Sequence, residues 1–223
     1  MDGGQLMKIT LEGIFGLKGL KLSVIISLGL GILATAFMFM QQQIFIGAIF
    51  AIFTFESYRL YKSLAFMKES DTDTSIRTLM DQAEASYNAQ DIPKARTLYE
   101  LVREKAGQGA LFAYATFRLA EIEGAEGHYA RAYDLIKPVR AQLDQEGMDL
   151  FHRLAFETGN WKTVLSVKDV HLPEQMAMNA IASAQLQDVN AAKGWLQAYI
   201  NEGGDAKIIR DPRFDPIRSS LDR

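Results

Sequence analysis

Residues 20–66 read LKLSVIISLGLGILATAFMFMQQQIFIGAIFAIFTFESYRLYKSLAF, and how this stretch is parsed decides the fold. Residues 22–40 are 19 residues without a charge, and a bilayer core about 30 Å thick takes roughly 20 helical residues to cross. They predict a transmembrane helix. After Gln41, Gln42 and Gln43 a second apolar run of 12 residues, 44–55, continues through Ser57, Tyr58, Leu60 and Tyr61 to Phe66. It reaches full length if Glu56 and Arg59, three apart on one helical face, pair or snorkel to the interface. A three-residue connection makes the two helices antiparallel neighbours. Ser27 and Gly31 on the first, and Gly47 and Ala51 on the second, supply the small side chains that let helices approach. Lys18 and Lys21 precede the hairpin, and Arg59, Lys62 and Lys68 close it. The positive-inside rule then places both ends in the cytoplasm.

Two other readings of this region fail on physical grounds. Ala34-Thr35-Ala36 has the small residues of a signal-peptidase site, but the apolar run is longer than a secretory core, continues past Ala36 and is followed by a second. Gly29-Leu30-Gly31-Ile32-Leu33-Ala34 matches the dinucleotide glycine pattern in form only, since that motif needs a preceding strand and a soluble βαβ unit.

Charge is unevenly spread. Up to Phe66 there are five basic and three acidic residues, a net +2, while the remainder has 19 basic and 24 acidic, a net −5. Such an acidic part with interspersed signs argues against nucleic acid, whose affinity rests on basic patches. With no cysteine in the chain, disulfides, thiolate catalysis and cysteine metal sites are excluded.

Outward from the hairpin, residues 67–76 form a boundary rich in Ser, Thr and Asp, the composition of a linker ending in a helix cap. Residues 77–223 read as all-α, with alanines and large apolar side chains recurring at three- and four-residue steps. One local theme appears four times: Gln90-Asp91-Ile92 with Ala95, Gly127-His128-Tyr129 with Ala132, Gly159-Asn160-Trp161 with Val164, and Gln187-Asp188-Val189 with Ala192. The spacings are 37, 32 and 28 residues. This theme resembles the helix-turn-helix of tetratricopeptide repeats, whose period is about 34. Ala83 and Tyr99 take the small and large packing roles in the first copy; Leu119, Ala120 and Ile136 take them in the second. The third and fourth copies are degenerate, with shortened first helices and bulkier or missing small residues. The ending, Asp211-Pro212-Arg213-Phe214-Asp215-Pro216-Ile217-Arg218, resembles the segment that closes such arrays, with Phe214 and Ile217 covering the last apolar edge.

Before the hairpin, residues 1–19 form an amphipathic lead-in that begins Met1-Asp2-Gly3-Gly4-Gln5-Leu6. Taken alone, Asp2 can cap a helix and the two glycines allow close backbone approach. The string also resembles the Leu-Asp-Gly-Gly motif of site-two-protease-like intramembrane zinc metallopeptidases. That resemblance implies that Asp2 is a zinc ligand and that Gly3 and Gly4 form the turn beside it. It departs from the family in having Met1 before Asp2 and no His-Glu-x-x-His. Catalytic zinc takes three protein ligands and an open position, so the chain is expected to be inactive alone. On this resemblance it is the back portion of such an enzyme, truncated or separately encoded.

No nucleophile elbow, phosphate loop or metal-spaced histidine pair occurs in residues 77–223, and no catalytic residue is expected there. His128 is assigned to a turn, His152 to a helix and His171 to a loop; Trp161 and Trp195 are assigned to the core. Residues 107–120, with Phe112, Tyr114 and Phe117, are the candidate groove-lining helix and partner-binding residues. The expected protein is a helical-repeat module without a cofactor, held in a bacterial inner membrane by its hairpin and binding a protein or peptide at the cytoplasmic face. The alternative is the metallopeptidase segment, with zinc on Asp2.

Overall fold

The computed structural model describes residues 3–221, with side chains from Leu17 onward apart from Ser63. Among the described residues every regular element is helical, with no strand. They fall into two compact units. One holds the chain up to Ala85 together with Leu101–Phe112, the other Ser86–Glu100 together with the chain from Ala113.

In the first unit, α1 (Gly3–Met40) runs 38 residues without a break, about 57 Å at 1.5 Å per residue. The lead-in and the first apolar segment are thus one helix. Gly3 and Gly4, which the metallopeptidase resemblance put in a turn, are its first residues. Gly13, Gly16 and Gly19 each cost a helix about 1 kcal/mol relative to alanine, but no proline interrupts them and the helix continues. Asp2, the expected zinc ligand, lies outside the described residues.

The second helix of the hairpin, α2 (Ile44–Ala65), comes after Gln41–Gln43 and packs along α1. Gln42 turns the chain with a φ of 58°. A Cβ on Gly31 would stand 2.5 Å from Thr54 Oγ1, so a hydrogen there is what lets the two helices touch; Gly29 has nothing within 4 Å. Glu56 and Arg59 pair at 3.1 Å on the exposed face. Two stretches, Leu17–Met40 and Ile44–Lys62, are long and apolar enough to cross a membrane. Their outer faces are bare, with Leu33 68% and Phe45 80% exposed. At the foot, Leu17, Val24 and Leu64 are buried together against Leu20 and Met67.

The boundary after the hairpin is more ordered than its composition suggests. Glu69–Thr72 forms a 3-10 turn and α3 (Thr74–Asn88) begins directly after it. Asp71, 3% exposed, accepts the Lys68 N–H at 2.7 Å and the Ala110 N–H at 2.9 Å on Oδ2, and the Leu111 N–H at 2.8 Å on Oδ1. It therefore caps α5 (Ala110–Ala125), whose first donors have no helical partner. Gly109, at a φ of 101°, is required here, because a Cβ would come 2.5 Å from Asp71 Oδ2.

The remaining helices are α4 (Ile92–Ala106), α6 (Tyr129–Ile136), α7 (Gln145–Glu157), α8 (Trp161–Val164), α9 (Pro173–Gln185), α10 (Val189–Asn201) and α11 (Arg218–Leu221). The four joints at the sequence theme share one backbone geometry, which also occurs at Gln42 and Gly203. Gln90, Gly127, Gly159 and Gln187 have φ values of 61°, 81°, 69° and 60°. The next residue in each case donates its N–H five residues back: Asp91 to Ser86, His128 to Glu123, Asn160 to Ala155 and Asp188 to Ser183. This is the left-handed helix ending that satisfies orphan carbonyls. Just beyond each joint, Ala95, Ala132, Val164 and Ala192 are fully buried. The four copies of the sequence theme are therefore four copies of one turn. The helices that leave these turns are unequal, since α8 is a single helical turn. Phe214 and Ile217 are buried in a 3-10 segment that packs on α9. Trp161 and Trp195, expected in the core, are half-buried.

Candidate functional site

Within the second unit, α7 and α9 pack on each other and are aligned by polar ties. Asp144 opens α7 by accepting the Gly147 N–H at 3.0 Å. Pro173 opens α9, where its missing N–H costs nothing, and Gln175 Oε1 accepts the N–H groups of His171 and Leu172, each at 3.1 Å. The same Gln175 donates from Nε2 to Asp149 Oδ1 at 2.8 Å, and Gln145 donates to that oxygen at 2.9 Å. Deeper in, His152 Nε2 meets Asn179 Oδ1 at 3.0 Å with both side chains buried. The oxygen accepts, so Nε2 carries the proton; Nδ1 has no partner.

These helices, with α5, enclose a groove of about 520 Å³. Phe117, Leu150, Leu154 and Met178 give it an apolar floor, buried or half-buried. Its rim carries four carboxylates, Glu121, Glu146, Asp149 and Glu174, against one cation, Arg153. Glu121 is paired with Arg118 at 2.9 Å, whereas Glu146 and Glu174 are exposed. The site is an acidic rim over an apolar floor, suited to a ligand that is cationic on one face and apolar on the other.

Of the three aromatic residues expected to bind a partner, Phe117 lines the groove. Tyr114 is exposed one turn earlier, and Arg118 lies over Tyr87, Tyr114 and Phe117 with its Cζ 5.1–5.5 Å from the three ring centroids. Phe112 stacks under Arg103 at 5.4 Å. Glu146, Asp149 and Glu174 were not singled out from the sequence. The signal available was the step of three and four from Glu146 through Asp149, Leu150 and Arg153 to Leu154, which places these residues on one helical face.

A second cluster lies at the joint between α5 and α6. Ligand atoms of Glu123, Glu126 and His128 lie within 4.8 Å of one another. Glu123 is 1% exposed and pairs with Arg96, which also holds Glu126 at 2.6 Å; Arg131 Nε is 3.6 Å and His128 Nδ1 3.1 Å from Glu123. Burial pushes the Glu123 carboxyl up, but the hydrogen bond and charge of Arg96, with Arg131 and His128, hold it below its ordinary value. Two guanidinium groups already balance the two carboxylates, so a metal ion would have to displace Arg96. The cluster is an ion-pair network that fastens α4 to the end of α5.

The three histidines have separate partners: Glu123 for His128, Asn179 for His152 and Gln145 for His171. Arg213 and Arg218 are engaged by Asp211 at 2.7 Å and Asp215 at 2.6 Å. Compared with known proteins, the chain matches no family model, no curated protein and no solved structure.

Proposed function

We propose that this chain is a membrane-anchored helical-repeat module, tetratricopeptide-like in its pairing of helices, that binds a cationic peptide segment of a protein partner at the cytoplasmic membrane face. The observation that carries the reading is the groove of α5, α7 and α9, with its four carboxylates, single arginine and apolar floor. A segment alternating lysine or arginine with leucine-like residues would satisfy both surfaces, as charge complementarity sets partner choice and buried apolar anchors supply affinity. The left-handed joints at the sequence theme, with a buried alanine beyond three of them and a buried valine beyond the fourth, support the repeat reading. The bare apolar faces of α1 and α2 support the anchor, because exposed apolar patches of this extent are unfavourable in water. Lysine and arginine at both feet of the hairpin support a cytoplasmic location for both ends. The mechanism is localisation and groove binding, without bond chemistry.

The test is a titration of the full-length chain in mild detergent with a fluorescent peptide of alternating leucine and lysine. Saturable binding is expected, weakened roughly tenfold or more by Glu146→Lys with Glu174→Lys and weakened by salt. Equal binding by the double variant, or by a leucine–glutamate peptide, refutes the groove. Recovery of the chain in the supernatant after alkaline carbonate extraction refutes the anchor.

A further inference from the structure

The foot of the hairpin holds a second cavity, of about 470 Å³, inside the first unit. Leu17, Met67 and Ala106 line it with apolar side chains, and Lys18, Lys21 and Lys68 are its basic lining residues, beside Glu69, Ser70 and Gln108. Lys21 is half-buried and donates to the Met67 carbonyl at 2.7 Å, which fixes its head while leaving two N–H donors. Lys18 meets Glu69 at 3.4 Å, but both side chains are more than three-quarters exposed, and such pairs contribute little and are readily exchanged. The wall is preorganised. Asp71 fastens the Lys68 backbone to the start of α5, and Ser70 Oγ donates to the Gln108 carbonyl at 3.2 Å.

We propose that this cavity binds the phosphate headgroup of an anionic phospholipid. Three cations against one carboxylate leave the site two charges positive, the sign that attracts a phosphodiester and repels a choline. Its position commits the source to a lipid: on the anchored reading, on which this proposal rests, the stretch Leu17–Met40 starts in the cavity wall, so the cavity opens at headgroup level. The exposed Leu22 and Ile25, farther along α1, face the acyl chains. Juxtamembrane lysines gain from anionic lipid in this setting, and the apolar wall adds what a free phosphate cannot use.

The experiment is native mass spectrometry of the full chain in mild detergent with equal amounts of phosphatidylglycerol and phosphatidylcholine. The expected result is a phosphatidylglycerol adduct favoured about tenfold. The preference is lost in the variant carrying Lys18→Gln, Lys21→Gln and Lys68→Gln and kept in the matching arginine variant. Equal adducts of the two lipids, or a preference that survives the glutamine changes, overturn the proposal. Displacement of the adduct by excess inorganic phosphate assigns the site to free phosphate and overturns the lipid. Carbonate extraction of the same preparations separates the two failures: a chain in the membrane pellet without lipid preference defeats this site alone, and a chain in the supernatant defeats the anchor with it.

Discussion

His152 sits in an environment that its type disfavours. Its imidazole is fully buried between α7 and α9, with one nitrogen donating to Asn179 and the other unpartnered. Burial lowers its pKa below the ordinary 6.5; the hydrogen bond with Asn179 and the charge of Asp149 act the other way without cancelling it. The unfolded chain therefore binds this proton more readily than the folded one. The stability due to a neutral His152 is complete above about pH 6.5 and is lost as the pH falls toward the folded value. Glu123 adds a second stage: its folded pKa lies below the ordinary 4.5, so its contribution is present above that value and disappears only in stronger acid. Denaturant midpoints measured from about pH 8 to about pH 5 should fall, and His152→Leu should flatten that slope while lowering stability overall. A level profile for the unsubstituted chain would contradict the assignment. Neither group was legible as an individual letter, because Asn179 lies 27 residues from His152 and Arg96 lies 27 from Glu123.

At the scale of elements, the four joints are where sequence and structure agree most closely. Turn and polar residues recur in the sequence because the left-handed ending and the next helix start require them, and the residue just beyond, alanine in three copies and valine in one, is buried in each. The occupants are unequal. Gly127 and Gly159 adopt the left-handed region freely, whereas Gln90 and Gln187 adopt it at a cost of about 1–2 kcal/mol, partly offset by the greater chain entropy that glycine loses on folding. Gln90→Gly and Gln187→Gly should each raise stability by about 0.5–1 kcal/mol in denaturant melts. Unchanged or lowered midpoints would show that the glutamine side chains contribute more than their backbone costs. What the letters did not disclose was the continuity of α1, since residues 1–19 read as a lead-in separate from the first apolar run, and the capping of α5, since Asp71 acts on a helix that begins 39 residues later. Capping motifs are recognised by adjacency, and this one is tertiary.

For the whole molecule, composition alone revealed an apolar, slightly basic front and an acidic remainder. The candidate groove was legible only in part. Phe117 was identified from the aromatic pattern of α5, but the acidic rim depends on which faces of α5, α7 and α9 converge, and periodicity gives faces without saying how they meet. The metallopeptidase resemblance rests on five residues, whose aspartate lies outside the described chain.

The Asp71 clamp has a consequence for how the protein would be cut. A protease needs several consecutive residues to leave the fold and lie extended in its cleft, so hydrogen-bonded backbone resists it even on a surface. The stretch after the hairpin has the letters of an easy target, with Lys68 preceding serine, threonine and aspartate. The Lys68 N–H is nonetheless held by the Asp71 carboxylate, and Arg77 Nε donates to the Asp71 carbonyl at 2.8 Å. Limited trypsin digestion should leave the bond after Lys68 intact for long periods, and Asp71→Ala should turn it into the first site cleaved. Rapid cutting of the unsubstituted chain at Lys68 would mean that the clamp opens freely. With the clamp closed, separating the apolar hairpin from the helices that follow is slow by construction, and cleavage there first requires one carboxylate's grip to break.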